Sequence, residues 1–504
     1  MRVLLVHPSP LMYSEIFLRL EPLGMERVAQ AVRAAGHDVR LIDLQTFSHA
    51  EFHREFAAFS PNALGFSLNY LANVPEVIDL AKRVKSLNKE CYVFVGGHSG
   101  SFIADDLLEH GNGAIDCVLR GEGELGTPQL LAAIGDGGMA QVPGTVSSEG
   151  RGPAPLLLDD LDRFPPAREL LQRRRRYFIG ELDPCASIEF TRGCPWDCSF
   201  CSAWTFYGRT YRVATTAAAV ADLAAIREPN VFIVDDVAFI RAEHGFAIGR
   251  EIEKRGIRKR YYLETRADVL CRNREVFAYW RKLGLQYLFL GLEAIDEEGL
   301  KAHRKRVSLG TNSEALEIAR EIGVKAAVNL IVDPDWDERR FDIVRDWALS
   351  IPEIVHLTVA TPYPGTEIWH TEQRKLATLD YRLFDIQHAV VPTRLPLKRF
   401  YEKLVETQCV LNRKHLGFSA LRGAAGLMFH LALAGQTNFI RSIWKFGKVY
   451  NAERQYLDHQ QEVRYAIRQP TKMAPGKEIA ASLYVHPRAA KVEAPLAAAP
   501  SAGQ

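Results

Sequence analysis

At 504 residues the chain is long enough for two or three domains, each with its own core. Its composition is ordinary, 47% hydrophobic and 25% charged, and a formal net charge of +2 supplies no global field that would draw nucleic acid. Eight cysteines in a chain of this size do not make a disulfide scaffold, and a reducing cytoplasmic setting is expected.

The opening "MRVLLVHPSP" has one arginine and an apolar run too short for a signal peptide, so it reads as a first strand. No window of 18 or more apolar residues occurs, and no spanning helix is expected. Strand-like runs follow at 2–8, 39–43, 62–68, 91–97 and 115–121, with helical apolar spacing between them at 24–36 and 74–87. Alternation of this kind predicts a doubly wound parallel sheet over 1–140. Its strands end in "HPSP", "DLQ", "SLNY", "GGHSG" and "GEGE", where such sheets receive ligands. The string "GEGELG" (121–126) matches the dinucleotide fingerprint but follows the fifth strand rather than the first, so that reading is rejected.

Residues 141–182 are turn-rich and read as a connector, and the run "RRRR" (173–176) reads as a solvated face ahead of a phosphate site. A second βα series spans 183–385, with strands expected at 186–193, 230–236, 261–268, 287–293, 325–334 and 355–364. Six repeats in so few residues suit an open, partial barrel with its chemistry at the strands' carboxyl ends. The pattern turns helical over 386–470, and the Ala/Pro-rich stretch 471–504 reads as a disordered tail.

Cys91, Cys117, Cys271 and Cys409 lie alone and read as small buried hydrophobes. Cys194, Cys198 and Cys201, in "TRGCPWDCSFC", are spaced C-x3-C-x2-C directly after a strand. A structural zinc site wants four ligands, and Cys185 precedes the strand and belongs at its other end. Thiolate ligation otherwise favours iron–sulfur. A 4Fe–4S cube on three thiolates leaves one iron open for a small chelating ligand, with Gly193 and Pro195 suiting a tight wrap and Phe200 a shield.

This motif resembles the signature of the radical S-adenosylmethionine superfamily. The resemblance implies that the amino and carboxylate groups of S-adenosylmethionine chelate the open iron. An electron passed from the cluster to the sulfonium then yields methionine and a 5′-deoxyadenosyl radical. It also implies contacts to the amino group from Asp235 and Asp236 of "VDD", and ribose or carboxylate contacts from Glu264 and Arg266 of "ETRAD" and Glu293 of "GLE". Backbone of "TPYPGTE" (361–367) would approach the adenine. Each of these side chains, taken singly, fits a structural ion pair equally well. As a set they resemble the subfamily with an N-terminal cobalamin domain. That likeness assigns Gly96, Gly97, His98, Gly121, Glu122, Gly123 and Glu124 to the corrin and its nucleotide tail. No D-x-H-x-x-G string occurs in 1–140, so cobalt without a protein histidine is expected, and His98 is either a lower-face neighbour or a hydrogen-bonded structural residue.

Together these modules imply a methyltransferase that acts on an unactivated carbon through methylcobalamin, with an external electron donor. The alternatives are a cobalamin-dependent radical oxidase or cyclase, and a non-enzymatic iron–sulfur or corrinoid sensor. The strings "EPLGMERVAQAVRAAGHDVRLIDLQ" and "HRKRVSLGTNSEALEIAREIGVKAAVNLIVDPDWDE" resemble the hopanoid C-3 methylase group, which implies a lipid substrate methylated on ring A. Segment 437–450 sets Phe439, Ile440, Ile443 and Trp444 against Arg441, Lys445 and Lys448. Such a basic amphipathic helix either lies at a membrane surface, peripheral to the inner membrane, or caps the barrel.

Overall fold

In the first strand Val3, Leu4, Leu5 and Val6 are all buried, so it reads as an unbroken apolar run rather than an alternation. That strand, β1 (Arg2–His7), is followed by β2 (Asp38–Asp43), β3 (Ala63–Ser67), β4 (Tyr92–Gly96) and β5 (Cys117–Leu119). The computed structural model describes residues 1–12, 16–134, 141–414, 426, 428–429, 431–469 and 485–486. β1 pairs in parallel with both β2 and β3, and the sheet continues through β4 and β5. The strand order reverses at β1, which opens a crevice above the carboxyl ends of β1 and β3. Helices on both faces complete the domain; His49–Phe59, for example, begins with a reciprocal Ser48–Glu51 capping box.

The connector differs from its expected role as a plain link. β6 (Thr145–Ser147) extends the first sheet antiparallel to β5, β7 (Gly150–Arg151) pairs antiparallel with β6, and Phe178–Ile179 pairs with Leu18–Arg19. The arginine run is partly solvated, with Arg175 and Arg176 exposed, but it also makes ion pairs and hydrogen bonds. Arg173 pairs with Glu51 and Arg174 with Glu228, while Arg176 donates to the Thr46 carbonyl. Successive arginines therefore bind both modules, because their short turn aims them in different directions.

The second sheet contains six parallel strands in sequence order: β8 (Cys185–Ile188), β9 (Asn230–Ile233), β10 (Arg260–Thr265), β11 (Leu285–Glu293), β12 (Lys325–Val332) and β13 (Ile354–Val359). One set of alternate side chains, including Ile188, Ile233, Leu263, Leu290, Leu330 and Leu357, packs under the surrounding helices in one large core. The opposite set, including Glu264, Phe289, Asn329 and His356, is only partly buried and faces the barrel interior. Beyond β13 come the helices Leu397–Arg413, Asn438–Val449 and Ala452–Asp458. Tyr465 and Ile467 then return to the core of the first domain, so the C-terminal region straps the two modules together. Residues 471–504, expected as a disordered tail, lie outside the described residues except Val485 and His486. Those two are buried, and Val485 donates its backbone N–H to the Thr205 carbonyl.

Candidate cofactor sites between the sheet and the barrel

The three cysteines lie on the loop leaving the carboxyl end of β8, whereas Cys185 is that strand's first residue, buried at its other end. The loop is fixed by local bonds. Gly193 adopts φ +95°, and a Cβ there would meet the Thr210 carbonyl oxygen at 2.4 Å, so only glycine fits. Its N–H donates to Asp236 Oδ2 at 2.8 Å. Trp204 Nε1 donates to the Cys198 carbonyl at 3.0 Å, and the N–H of Ser199 to the carbonyl of His303 at 3.1 Å. Phe200 packs edge-on against His303.

The donor set fits a cube better than a single ion. Among the described residues no three His, Cys, Asp or Glu side chains gather closely enough to hold one metal ion. Three thiols separated across one loop suit the corners of a cluster instead. Without metal, burial pushes the Cys201 thiol up to about 12 and raises that of Cys194 further, so a positive centre is what would make thiolates of them.

At the neighbouring strand ends the expected residues divide into two groups. Asp235, 2% exposed, accepts from the N–H groups of Phe190 (2.8 Å) and Thr191 (3.0 Å) and from Thr191 Oγ1 (2.6 Å). Both of its oxygens are committed to holding the strand-to-loop turn, unlike the cofactor-facing role expected for it. Asp236 differs: its side chain reaches solvent although protein surrounds it, and that burial pushes its carboxyl up to about 6. Glu264 sits beside it, raised to about 7 by burial and then by the charges of Asp236 and Glu293. Its carboxylate has no hydrogen-bond partner among the described residues. Glu293, at φ +68°, accepts from Lys305 Nζ at 2.9 Å and Asn329 Nδ2 at 3.2 Å. Arg266, expected near ribose or carboxylate, instead reaches under the cluster loop, with Nη1 3.6 Å from Cys198 Sγ.

A cavity of about 380 Å³ runs from the Gly-rich strand ends of the first domain to the barrel. Gly96, Gly97, His98, Gly121, Glu122, Gly123 and Glu124 line one side, and Glu189, Arg192 and Val234 the other. Gly97 sits at φ +99°, where a Cβ would approach the Leu68 backbone to 2.7 Å. A Cβ at Gly121 would likewise meet Pro155 at 2.7 Å and one at Gly123 would meet Val28 at 2.9 Å, so these glycines serve the close packing of the wall, and what fits a corrinoid is the cavity's place at the carboxyl ends of a parallel sheet. The glutamates do not stand free there. Arg192 pairs with Glu122 at 2.7 Å, Glu124 at 2.9 Å and Glu189 at 2.8 Å, and Arg212 binds Glu122 at 2.8 Å. Burial of Glu189 is outweighed by Arg192 and Arg27, which pull its carboxyl down to about 2. Glu122 and Glu124 therefore lock the first domain onto the barrel, a partnership that sequence spacing could not announce.

His98 donates or accepts at Ser202 Oγ (2.8 Å) and stacks on Phe206 at 4.6 Å; burial lowers it to about 4, so it is neutral. Sequence reading missed two further wall residues, His7 and Tyr70. His7 Nδ1 is buried without a hydrogen-bond partner among the described residues, and burial lowers the ring's basicity. Tyr70 is 48% exposed although surrounded by protein, close enough to Glu264 to feel its charge. Both lie in strand ends noted as polar, which was the available signal.

Comparison with known proteins identifies both modules. The B12 binding domain model matches residues 12–131, and the Radical SAM superfamily model matches 188–348. The hopanoid C-3 methylase of Methylococcus capsulatus (strain ATCC 33009 / NCIMB 11132 / Bath) is 61% identical over 487 residues, covering 96% of this chain and 95% of that protein. The chain belongs to the hopanoid C-3 methylase family. Membership makes it a cobalamin-dependent radical S-adenosylmethionine protein with a 4Fe–4S cluster. The anaerobic magnesium-protoporphyrin IX monomethyl ester cyclase of Rubrivivax gelatinosus is 25% identical, covering 76% of this chain and 72% of the relative. Among solved structures, the cobalamin-dependent S-adenosylmethionine radical enzyme OxsB superposes with a TM-score of 0.64 at 13% identity, over 91% of this chain and 80% of that one. The methyltransferase TsrM from Kitasatospora setae superposes with a TM-score of 0.59 at 20% identity, over 75% and 77%. Both superpositions support the two-module fold.

Proposed function

We propose that the protein methylates C-3 on ring A of a hopanoid, by removing a hydrogen atom from that unactivated carbon and delivering a methyl group to it. The observation that carries this reading is a cavity walled by the glycine loops of the first domain and by the segments that follow β8 and β9 of the barrel. When bound, the cluster with S-adenosylmethionine supplies the hydrogen-abstracting radical and cobalamin supplies the methyl group. The residues supply position and enclosure, the main protein contribution in cofactor chemistry.

Asp236 and Glu264 lie just beyond β9 and near the end of β10 with few partners of their own, and a cationic ligand such as S-adenosylmethionine would meet their charge there. Glu293 stands behind them with its charge matched by Lys305. Gly96, Gly97, Gly121 and Gly123 are read as the backbone floor for the corrin. His98 keeps Nε2 on Ser202, which favours cobalt without a histidine from this loop. No helix among the described residues is long and apolar enough to cross a membrane. Peripheral contact through the helix Asn438–Val449 would bring the site to a lipid surface. Its Arg441 is exposed, while the side chains of Phe439, Ile440, Ile443, Trp444 and Lys448 lie outside the described residues. An external reductant completes the requirement.

The test is turnover by anaerobically reconstituted protein given hopanoid, S-adenosylmethionine and a strong reductant. The expected product is heavier by one methylene and carries the label of methyl-labelled S-adenosylmethionine. Abundant 5′-deoxyadenosine with unmethylated hopanoid would overturn the substrate and keep the radical chemistry. An oxidised or cyclised, unmethylated product would favour the oxidase or cyclase reading.

A further inference from the structure

We propose that Arg266 sets the reduction potential of the cluster by donating a hydrogen bond to the ligand sulfur of Cys198, an inference that rests on the three-cysteine cluster described above. Arg266 is 4% exposed. Its Nε donates to Asp268 Oδ1 at 2.8 Å and its Nη2 to the Lys305 carbonyl at 2.8 Å. The guanidinium also lies over the Trp196 ring, 4.4 Å from its centroid. Two tethers and a ring fix the plane of the fork, and what remains is Nη1, 3.6 Å from Cys198 Sγ. Lys305, the other buried cation nearby, pairs with Glu293 instead.

The consequence is electrostatic. A cube on three thiolates becomes more negative when it accepts an electron. An N–H donor carrying positive charge therefore stabilises the reduced form more than the oxidised one. Burial strengthens the effect, because the surroundings screen charge less than water does. Asp268, which tempers the cation, sits on the opposite edge of the fork with its side chain 26% exposed, nearer to water than the sulfur is. Arg266 thus acts through the cluster as a positioning residue, and lysine would replace its charge but not its fork.

The test uses full-length, anaerobically reconstituted protein, with iron and sulfide counted and the midpoint potential read by EPR-monitored titration. S-adenosylmethionine is left out, so that a lost contact to it cannot mimic the shift. Arg266→Gln is expected to keep its iron and to show a tenfold lower equilibrium constant for reduction, about 59 mV more negative for one electron. Arg266→Lys should move part of the way. A native potential in either variant at full iron content would overturn the proposal, and Arg266→Lys alone decides it if the glutamine variant does not fold. Iron loss confined to folded variants would overturn it in favour of a role in assembly. Absence of a four-iron signal from the unmutated protein would instead overturn the cluster reading beneath it.

Discussion

In the cluster loop the three proposed ligands lie within eight positions of chain, and bonds from Trp204 of the same loop and from Asp236 just beyond the next strand hold it, with His303 and His98 adding distant contacts. The cavity beside it is assembled differently. Arg192 reaches Glu122 across 70 residues and Arg212 reaches it across 90, so its walls exist only once two separate sheets have met. The difference shows that the spacing of a metal motif is local, whereas the cavity proposed for the corrinoid is an interface.

The sharpest way to break the local half is Cys198→Ala. It should abolish the brown absorbance of the cluster and all turnover while leaving cobalamin binding measurable, and retained iron would contradict the three-ligand reading. The interface half is tested by Arg192→Met, which strands Glu124 and leaves Glu122 to Arg212 and Glu189 to Arg27 alone. Breaking buried pairs of this kind costs about 3–5 kcal/mol. Thermal unfolding should drop accordingly and cobalamin should co-purify poorly, with the iron content less affected.

A smaller effect separates the interface from the C-terminal strap. His388 is 2% exposed, and although burial alone would depress it, Asp385 and Asp458 outweigh that and raise it to about 9. A histidine raised in the folded state gives stability that is fully present below its unfolded value of 6.5 and is lost as pH climbs through about 9. The change is on the order of 3 kcal/mol between those limits at 1.36 kcal/mol per pH unit. Melting temperature followed from pH 6 to 10 should fall over that window, and His388→Gln should flatten this component.

Much of the architecture was legible because the buried strands of the first sheet leave short apolar runs and those of the barrel keep one apolar face, and these named all five core strands of the first sheet and all six of the barrel. The hairpin at 145–151 was not, since its short strands carry polar and exposed residues whose pairing depends on the free edge of β5. The polar sites followed the same logic. The spacing of Cys194, Cys198 and Cys201, and the polar strand ends that follow, reside in the sequence itself, since a loop brings near neighbours together whatever surrounds it. Only the tertiary structure decided that Asp235 braces a turn while Asp236 stays exposed, that Glu122 and Glu124 belong to Arg192, and that Arg266 turns toward a sulfur. A charged side chain takes whichever opposite charge or donor the fold delivers within about 3–4 Å, and that choice depends on packing between residues far apart in the chain.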